Sequence, residues 1–175
     1  DLIDAIAQHR PLLGNDGSLL RRLRDPHQWS NFLTASGFNH PAISFELPYT
    51  ADSDWLIKPF RGTSGRHIKR WQGETLPAAT LLQRHVAGHP CSSIYVADGK
   101  SCRLLGSTRQ ILAGKSHPLL SEFQYLGNVG PLSLSPQRQE RLVRLGKSLM
   151  REYPLRGVFG VDWIDVDGAE WIIEI

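Results

Sequence analysis

Twice in this chain an Asp-Gly pair stands between two β-rich runs, at Asp98-Gly99 and at Asp167-Gly168. Asp-Gly tolerates the positive φ angles of a tight turn. Each pair therefore reads as a β-hairpin, one in "CSSIYVADGKSCRLLGSTRQIL" and one in "RGVFGVDWIDVDGAEWIIEI". Hairpins pair strands antiparallel. Helical patterns lie before and between them. "SPQRQERLVRLGKSLMREY" puts Ser135 and Pro136 at cap and first-turn positions and aligns Leu142, Leu145, Leu149 and Tyr153 on one face. Asp25-Pro26 reads as an N-cap with proline at the first helical position, opening a helix to about Ser36 that Gly37 stops. "LIDAIAQHR" is a short helical pattern, and Asp16 to Ser18 caps another that runs through Arg24. "PLLGN" reads as a brief strand, "HPAISFEL" as a strand after a turn, and "LPAATLL" as a short helix or turn. The order predicts an α+β fold with a mostly antiparallel sheet.

A third stretch, "WLIKPFRGTSGRHIKRW" (55–71), suits an anion. Lys58 ends one apolar-rich run, a loop of Gly62, Thr63, Ser64 and Gly65 follows, and His67 to Trp71 reads as a second strand. A Walker A loop would need four residues between its glycines, then Gly-Lys-Ser/Thr and a helix, and none of that is here. The expectation is a hairpin with a glycine-rich tip.

The last hairpin carries two carboxylates. One face of its first strand reads Val158, Gly160, Asp162, Ile164 and Val166, so Asp162 is the lone charge on an apolar face. Buried unpaired, it would cost several kcal/mol. Glu174 sits among Ile172, Ile173 and Ile175 on the returning strand. A two-residue turn at 167–168 would put Glu174 opposite Val161, on the other face. A three-residue loop would put Glu174 opposite Asp162, where a hard cation such as Mg²⁺ suits the pair. The alternative is that one or both point to solvent.

Bulk properties exclude little. A net charge of +3 is too mild to argue for nucleic acid, and arginines are scattered, with Arg21, Arg22 and Arg24 the densest group, read as a solvated helix face. No run approaches the ~20 apolar residues of a membrane span, and the first residues are unlike a signal peptide. Cys91 and Cys102 form no CxxC pair, which fits a reducing, cytoplasmic setting. The first residue is Asp and the last lies inside "WIIEI", so the sequence is read as a piece of a larger protein.

In order, then, come a lysine ending a strand, a glycine-rich hairpin loop, a Q-x-x-V-x-G linker at 83–88, and a late hairpin with Asp and Glu twelve apart. This series resembles the ATP-grasp superfamily of carboxylate ligases over most of the chain, from about Asp25 to the end. The resemblance implies two lobes of mostly antiparallel sheet with helices, and ATP between them. Residues 1–24 would be a remnant of an N-terminal lobe and linker, 25–86 a central lobe with the phosphate flap and hinge, and 87–175 the C-terminal lobe. It implies that Lys58 contacts the phosphates, that the backbone of Gly62, Thr63, Ser64 and Gly65 closes over them, and that Gln83, Arg84, His85 and Val86 flank adenine, mostly through backbone groups. Asp162 and Glu174 would hold one or two Mg²⁺ ions, with Mn²⁺ able to substitute. The implied reaction is amide, less often thioester, formation through an acyl phosphate, releasing ADP and phosphate. Its partners would be a small carboxylate and an amine, without nucleic acid or membrane, and with room for a homodimer.

The pattern also departs from the family. Pro26 stands where many relatives carry a second lysine, for which Arg24 or His27 is the substitute, and His89 replaces an acidic ribose ligand. The Asn-x-Arg that usually follows the metal hairpin is absent because the given sequence stops at Ile175. Gln110 is expected to face the nucleotide or the core, with Arg109 beside it as a catalytic candidate, and "FQYLGNVGP" (123–131) is expected as a loop near the reaction centre. His85 and His89 are not read as a metal pair, and Trp29, Trp55, Trp71, Trp163 and Trp171 are read as packing. Two other readings stay open, a non-catalytic nucleotide-binding module and an anion- or nucleic-acid-binding domain.

Overall fold

The structure is a computed structural model that describes residues 2–47, 54–115, 117 and 119–175. Three short helices come first: α1 (Leu2–Ala7), α2 (Gly17–Leu23) and α3 (Pro26–Ala35). Capping sets the starts of the last two. The Asp16 carboxylate accepts from the Leu19 N–H at 2.7 Å, and that of Asp25 accepts from His27 N–H at 2.9 Å and Gln28 N–H at 3.1 Å. Strands β1 (Ile43–Ser44), β2 (Trp55–Pro59), β3 (Lys69–Arg70) and β4 (Thr80–Arg84) form a small sheet in the order β1-β4-β2-β3. Strands β5 (His89–Asp98), β6 (Cys102–Leu112), β7 (Tyr125–Val129), β8 (Arg156–Val166) and β9 (Ala169–Glu174) form a larger one in the order β7-β6-β5-β8-β9. Helix α4 (Pro136–Glu152) connects β7 to β8. Every strand pair in both sheets is antiparallel.

The chain departs from the sequence expectations in five places. "PLLGN" holds no strand, and "HPAISFEL" contributes only the two residues of β1. The run His67 to Trp71 pairs over two residues alone. "LPAATLL" turns at 78–79 and then enters β4, because its apolar run is too short to separate strand from helix by period. Residues 125–129, expected as a loop, form an edge strand that β6 templates through Gln110↔Asn128 and Arg109↔Val129.

Alternation along the strands divides the larger sheet into two faces. Val161, Trp163 and Tyr95 are fully buried on one face, against Leu142, Leu145 and Leu149 of α4. The Tyr95 hydroxyl donates to the Leu142 carbonyl at 2.9 Å, and the Trp163 indole N–H donates to the Ser93 hydroxyl at 2.9 Å, so both buried polar tips are satisfied. Burying each of these large apolar side chains is worth about 1.5–3 kcal/mol. Leu19, Leu23, Trp29, Phe32 and Leu33 join the same core. Helices α2 and α3 therefore pack with the larger sheet. Their apolar stripes match Tyr153 and Ile172, which also belong to that core. The smaller sheet has its own cluster of Ile57, Trp71 and Leu82. Among the described residues, no helix is long and apolar enough to cross a membrane.

Candidate functional site

The opposite face of the larger sheet meets the smaller sheet across a hollow of about 440 Å³. Gln83, Arg84, His85 and Val86 line it, as do Lys58, Asp162 and Glu174. A second hollow of about 530 Å³ adjoins it, with Lys58, Ser64, Gly65, Gln83 and Glu174 among the shared walls.

How Asp162 and Glu174 meet was the open question of register. The turn at Asp167-Gly168 is the two-residue kind, pairing Val166 with Ala169. Its φ angles of +48° and +89° suit Asp-Gly in a primed turn. By simple counting Glu174 should then fall on the wrong face. A β-bulge corrects it: Trp163 pairs with Ile172, the register slips by one, and Asp162 pairs with Glu174. Ile173 is the extra residue, and its carbonyl accepts the Trp29 indole N–H at 3.2 Å. Behind the turn, Arg138 makes paired hydrogen bonds to Asp165 at 2.8 and 2.6 Å and a third to Glu170 at 2.8 Å. Arg141 joins Glu170 at 2.6 and 2.8 Å and the Gly168 carbonyl at 2.9 Å.

Burial pushes the Asp162 carboxyl above the usual carboxylate range, and the neighbouring Glu174 adds to the effect. Side-chain hydrogen bonding from Ser92 and Gln110, and the charge of Lys58, act in the opposite direction. Ser92 sits across from Asp162 in the β5–β8 ladder. The sequence reading missed it, although the alternation of "CSSIYV" puts one serine on each face, with Ser93 buried toward α4. Lys58 Nζ reaches from the smaller sheet to Glu174 Oε2 at 3.2 Å, with its side chain 13% exposed.

The glycine-rich loop rests against the larger sheet. The Tyr125 N–H donates to the Ser64 carbonyl at 3.0 Å, and the Ser121 hydroxyl donates to the Ile68 carbonyl at 2.9 Å. Arg70 makes a bidentate pair with Glu122 at 3.1 and 3.0 Å. At Gly65 (φ +66°) an added Cβ would lie 2.0 Å from the Phe123 carbonyl oxygen, so only glycine fits this approach. Ser64 and Gly65 touch both hollows, whereas Gly62 and Thr63 line only the second.

In the 83–86 segment, the Arg84 N–H donates to Ala42 O at 2.8 Å and the His85 N–H to Asp54 O at 2.7 Å. Those two amides are engaged within the fold, so the expectation that this segment acts mostly through backbone groups does not extend to them. The His85 ring lies 6.1 Å from Phe123. Burial, with help from Arg70, holds its pKa below the usual histidine value and favours the neutral ring.

Arg109 is not brought to the site. It pairs with Cys91 and Val129 and lines neither hollow, while Gln110, one residue on and so on the opposite face, lines the first. Arg24 lines the second hollow, so it does not stand in for an adenine-side lysine, and His27 lines neither. Asn128, from the stretch expected as a loop, does line the first hollow. His85 lines the first hollow and His89 does not. Trp29, Trp71 and Trp163 are buried packing residues.

Asp162 and Glu174 offer hard oxygen donors at adjoining positions. No group of three or more His, Cys, Asp or Glu able to hold a metal occurs among the described residues. Two carboxylates do not make a protein-only cage, but they fit Mg²⁺, which keeps waters and completes its shell with substrate phosphates.

Two antiparallel sheets face each other across a hollow that a lysine and two acids help to line. The sequence profile of the ATP-grasp domain matches residues 24–175, and the chain belongs to that family. Among solved structures it is similar to an ATP-grasp superfamily protein from Archaeoglobus fulgidus, at 21% identity and a TM-score of 0.73, covering 99% of this chain and 51% of that one. It is similar to D-alanine–D-alanine ligase from Bacillus anthracis, at 12% identity and a TM-score of 0.71, covering 99% and 63%. The biotin carboxylase domain of the Hydrogenobacter thermophilus 2-oxoglutarate carboxylase, solved with MgADP and bicarbonate, gives 14% identity and a TM-score of 0.74, covering 97% and 43%. The chain thus spans less than two thirds of the length of each of these structures. No curated protein matches it in sequence.

Proposed function

We propose that this chain forms the nucleotide-binding lobes of an ATP-dependent ligase that joins a carboxylic acid to an amine, or less often a thiol. The observation that carries the reading is the meeting of Asp162, Glu174 and Lys58 on the walls of the first hollow. The relatives support it: two are named as ligases of amino acids, and a third was solved with MgADP. In this reading the adenine end is the 83–86 segment, and the phosphate end is the acidic pair. A division into 25–86 and 87–175 about that segment follows, with α2 and α3 packed on the larger part.

Lys58 places a point charge against the phosphates, and the loop 62–65 closes over them. Asp162 and Glu174 would hold Mg²⁺, which when bound neutralises phosphate charge and aligns the reacting groups. Ser92 and Gln110 orient the Asp162 carboxylate. A carboxylate oxygen of the acid attacks the γ-phosphorus, and the bond to the β–γ bridging oxygen breaks with its electrons leaving on ADP. The amine nitrogen then attacks the acyl carbon. The C–N bond forms, the C–O bond to phosphate breaks, and the nitrogen gives up a proton. Most of the catalysis is positioning and charge stabilisation.

Thermal shift tests the reading. MgATP at 100 times its dissociation constant should add about 2.7 kcal/mol of stability. Lys58→Met should remove most of that gain, and EDTA should do the same for the unaltered chain. No shift with MgATP, or a shift indifferent to the metal, sinks the reading.

A further inference from the structure

The second hollow has a character of its own. Arg24, Arg61 and Arg66 line it, and none of the three makes an ion pair among the described residues. The contrast with their neighbours is direct. Arg21 is paired with Asp4 and Arg22 with Glu152, so the arginine group of α2 and its cap divides into two structural members and one that borders the hollow. Glu174 is the one acidic side chain on the hollow's walls among the described residues, and Lys58 already meets it at 3.2 Å. The floor is apolar, with Trp29, Leu33 and Ile172 nearly buried beneath it.

We propose that this second hollow receives the acid to be activated, and that this acid carries at least one anionic group besides the carboxylate that reacts. The proposal rests on the ligase reading and names its substrate class. The two hollows share Lys58, Gln83 and Glu174 as walls, so the contents of this one lie beside the lysine and the acid that the ligase reading gives to the phosphates. A guanidinium presents a planar fork of donors that matches a carboxylate or phosphate. The reacting carboxylate is bonded to the phosphoryl group in the first step and becomes a neutral amide in the second, so it is not free to anchor the acid through both. A second anionic group on Arg24, Arg61 or Arg66 does, while the carbon skeleton lies on the apolar floor. Further carboxylates and a phosphate monoester share this chemistry.

The test is calorimetric titration at constant ionic strength, with protein saturated with Mg²⁺ and a non-hydrolysable ATP analogue. The probes are butyrate, glutarate and tricarballylate, which carry one, two and three carboxylates, and 3-phosphoglycerate. Affinity should rise about tenfold or more from butyrate to tricarballylate. A preference for 3-phosphoglycerate over glutarate would assign the second group as phosphate, and the reverse as carboxylate. Arg24→Ala and Arg66→Ala should each weaken the multivalent probes about tenfold and leave the nucleotide analogue within about twofold. Arg103→Ala, an exposed arginine outside both hollows, should change nothing. Equal affinity for all probes overturns the proposal. So does a loss of nucleotide affinity in the arginine variants, which would give these side chains to the triphosphate instead. If the nucleotide analogue does not bind at all, the ligase reading fails separately, and the same titration on nucleotide-free protein still decides whether the hollow selects for charge number.

Discussion

The two sheets of this protein are held together very differently. The larger gathers sixteen buried residues into one core from α2, α3, α4 and the strands, while the smaller encloses Ile57, Trp71 and Leu82. A small cluster of that kind cannot fix the orientation of a sheet. What fixes it is a set of polar ties to the larger lobe: Arg70 to Glu122, Ser121 to Ile68, Tyr125 to Ser64 and Lys58 to Glu174. The lesson is a division of labour. Apolar packing makes the platform on which the two acids stand, and exchangeable hydrogen bonds tie the smaller half to it.

That contrast can be broken or sharpened by experiment. Leu149→Ala, at a fully buried position in α4, should cost about 2–5 kcal/mol in urea denaturation. It should raise hydrogen exchange in both sheets, whereas Ile57→Ala should raise it in 55–84 alone. Equal spread from both substitutions would show one cooperative unit and end the comparison. Asp162→Asn or Glu174→Gln should next abolish the magnesium-dependent part of nucleotide stabilisation, about 2.7 kcal/mol at 100 times the dissociation constant. Calorimetry with and without EDTA reads this directly. Glu122→Gln should cost only about 1 kcal/mol globally, since both partners are about a quarter exposed, yet it should speed proteolysis within 61–67. The Arg70 guanidinium holds the Glu122 carboxyl below the ordinary glutamate range. A depressed folded value means the tie is fully present above the unfolded value of about 4.3 and is lost as pH falls through the folded one. The gap between wild type and Glu122→Gln should therefore close on acidification. Smallest of all, Asp162→Asn should slightly stabilise the ligand-free protein at pH 7, because burial disfavours the ionised acid. A drop in melting temperature instead would show that the ionised carboxylate is well supported without a metal.

Much of the platform could be read from local pattern. The face of α4, the Asp25 cap and both Asp-Gly hairpins depend on contacts within a few residues, and periodicity reports those. The rest was less legible. Arg70 and Glu122 lie 52 residues apart and carry no pattern that joins them. Strand β7 became a strand only because β6 offered it an edge. Arg109 and Gln110 show the limit most plainly, because one residue of register decides which of the two faces the hollow, and register is set by the neighbouring strand. The acidic pair was expected to meet only through a three-residue loop. The turn proved short and the strand supplied the compensation, a device that residue counting does not contain.

The slip at Ile173 separates the connection from the chemistry. The connecting segment at 167–168 is free to drift among two-residue sequences, and a circularly permuted chain opened there would still present both acids to the same side. Deleting the single isoleucine would turn Glu174 toward the helix layer. The indole of Trp29 therefore guards a point of vulnerability, where losing one codon does more harm than replacing the whole loop.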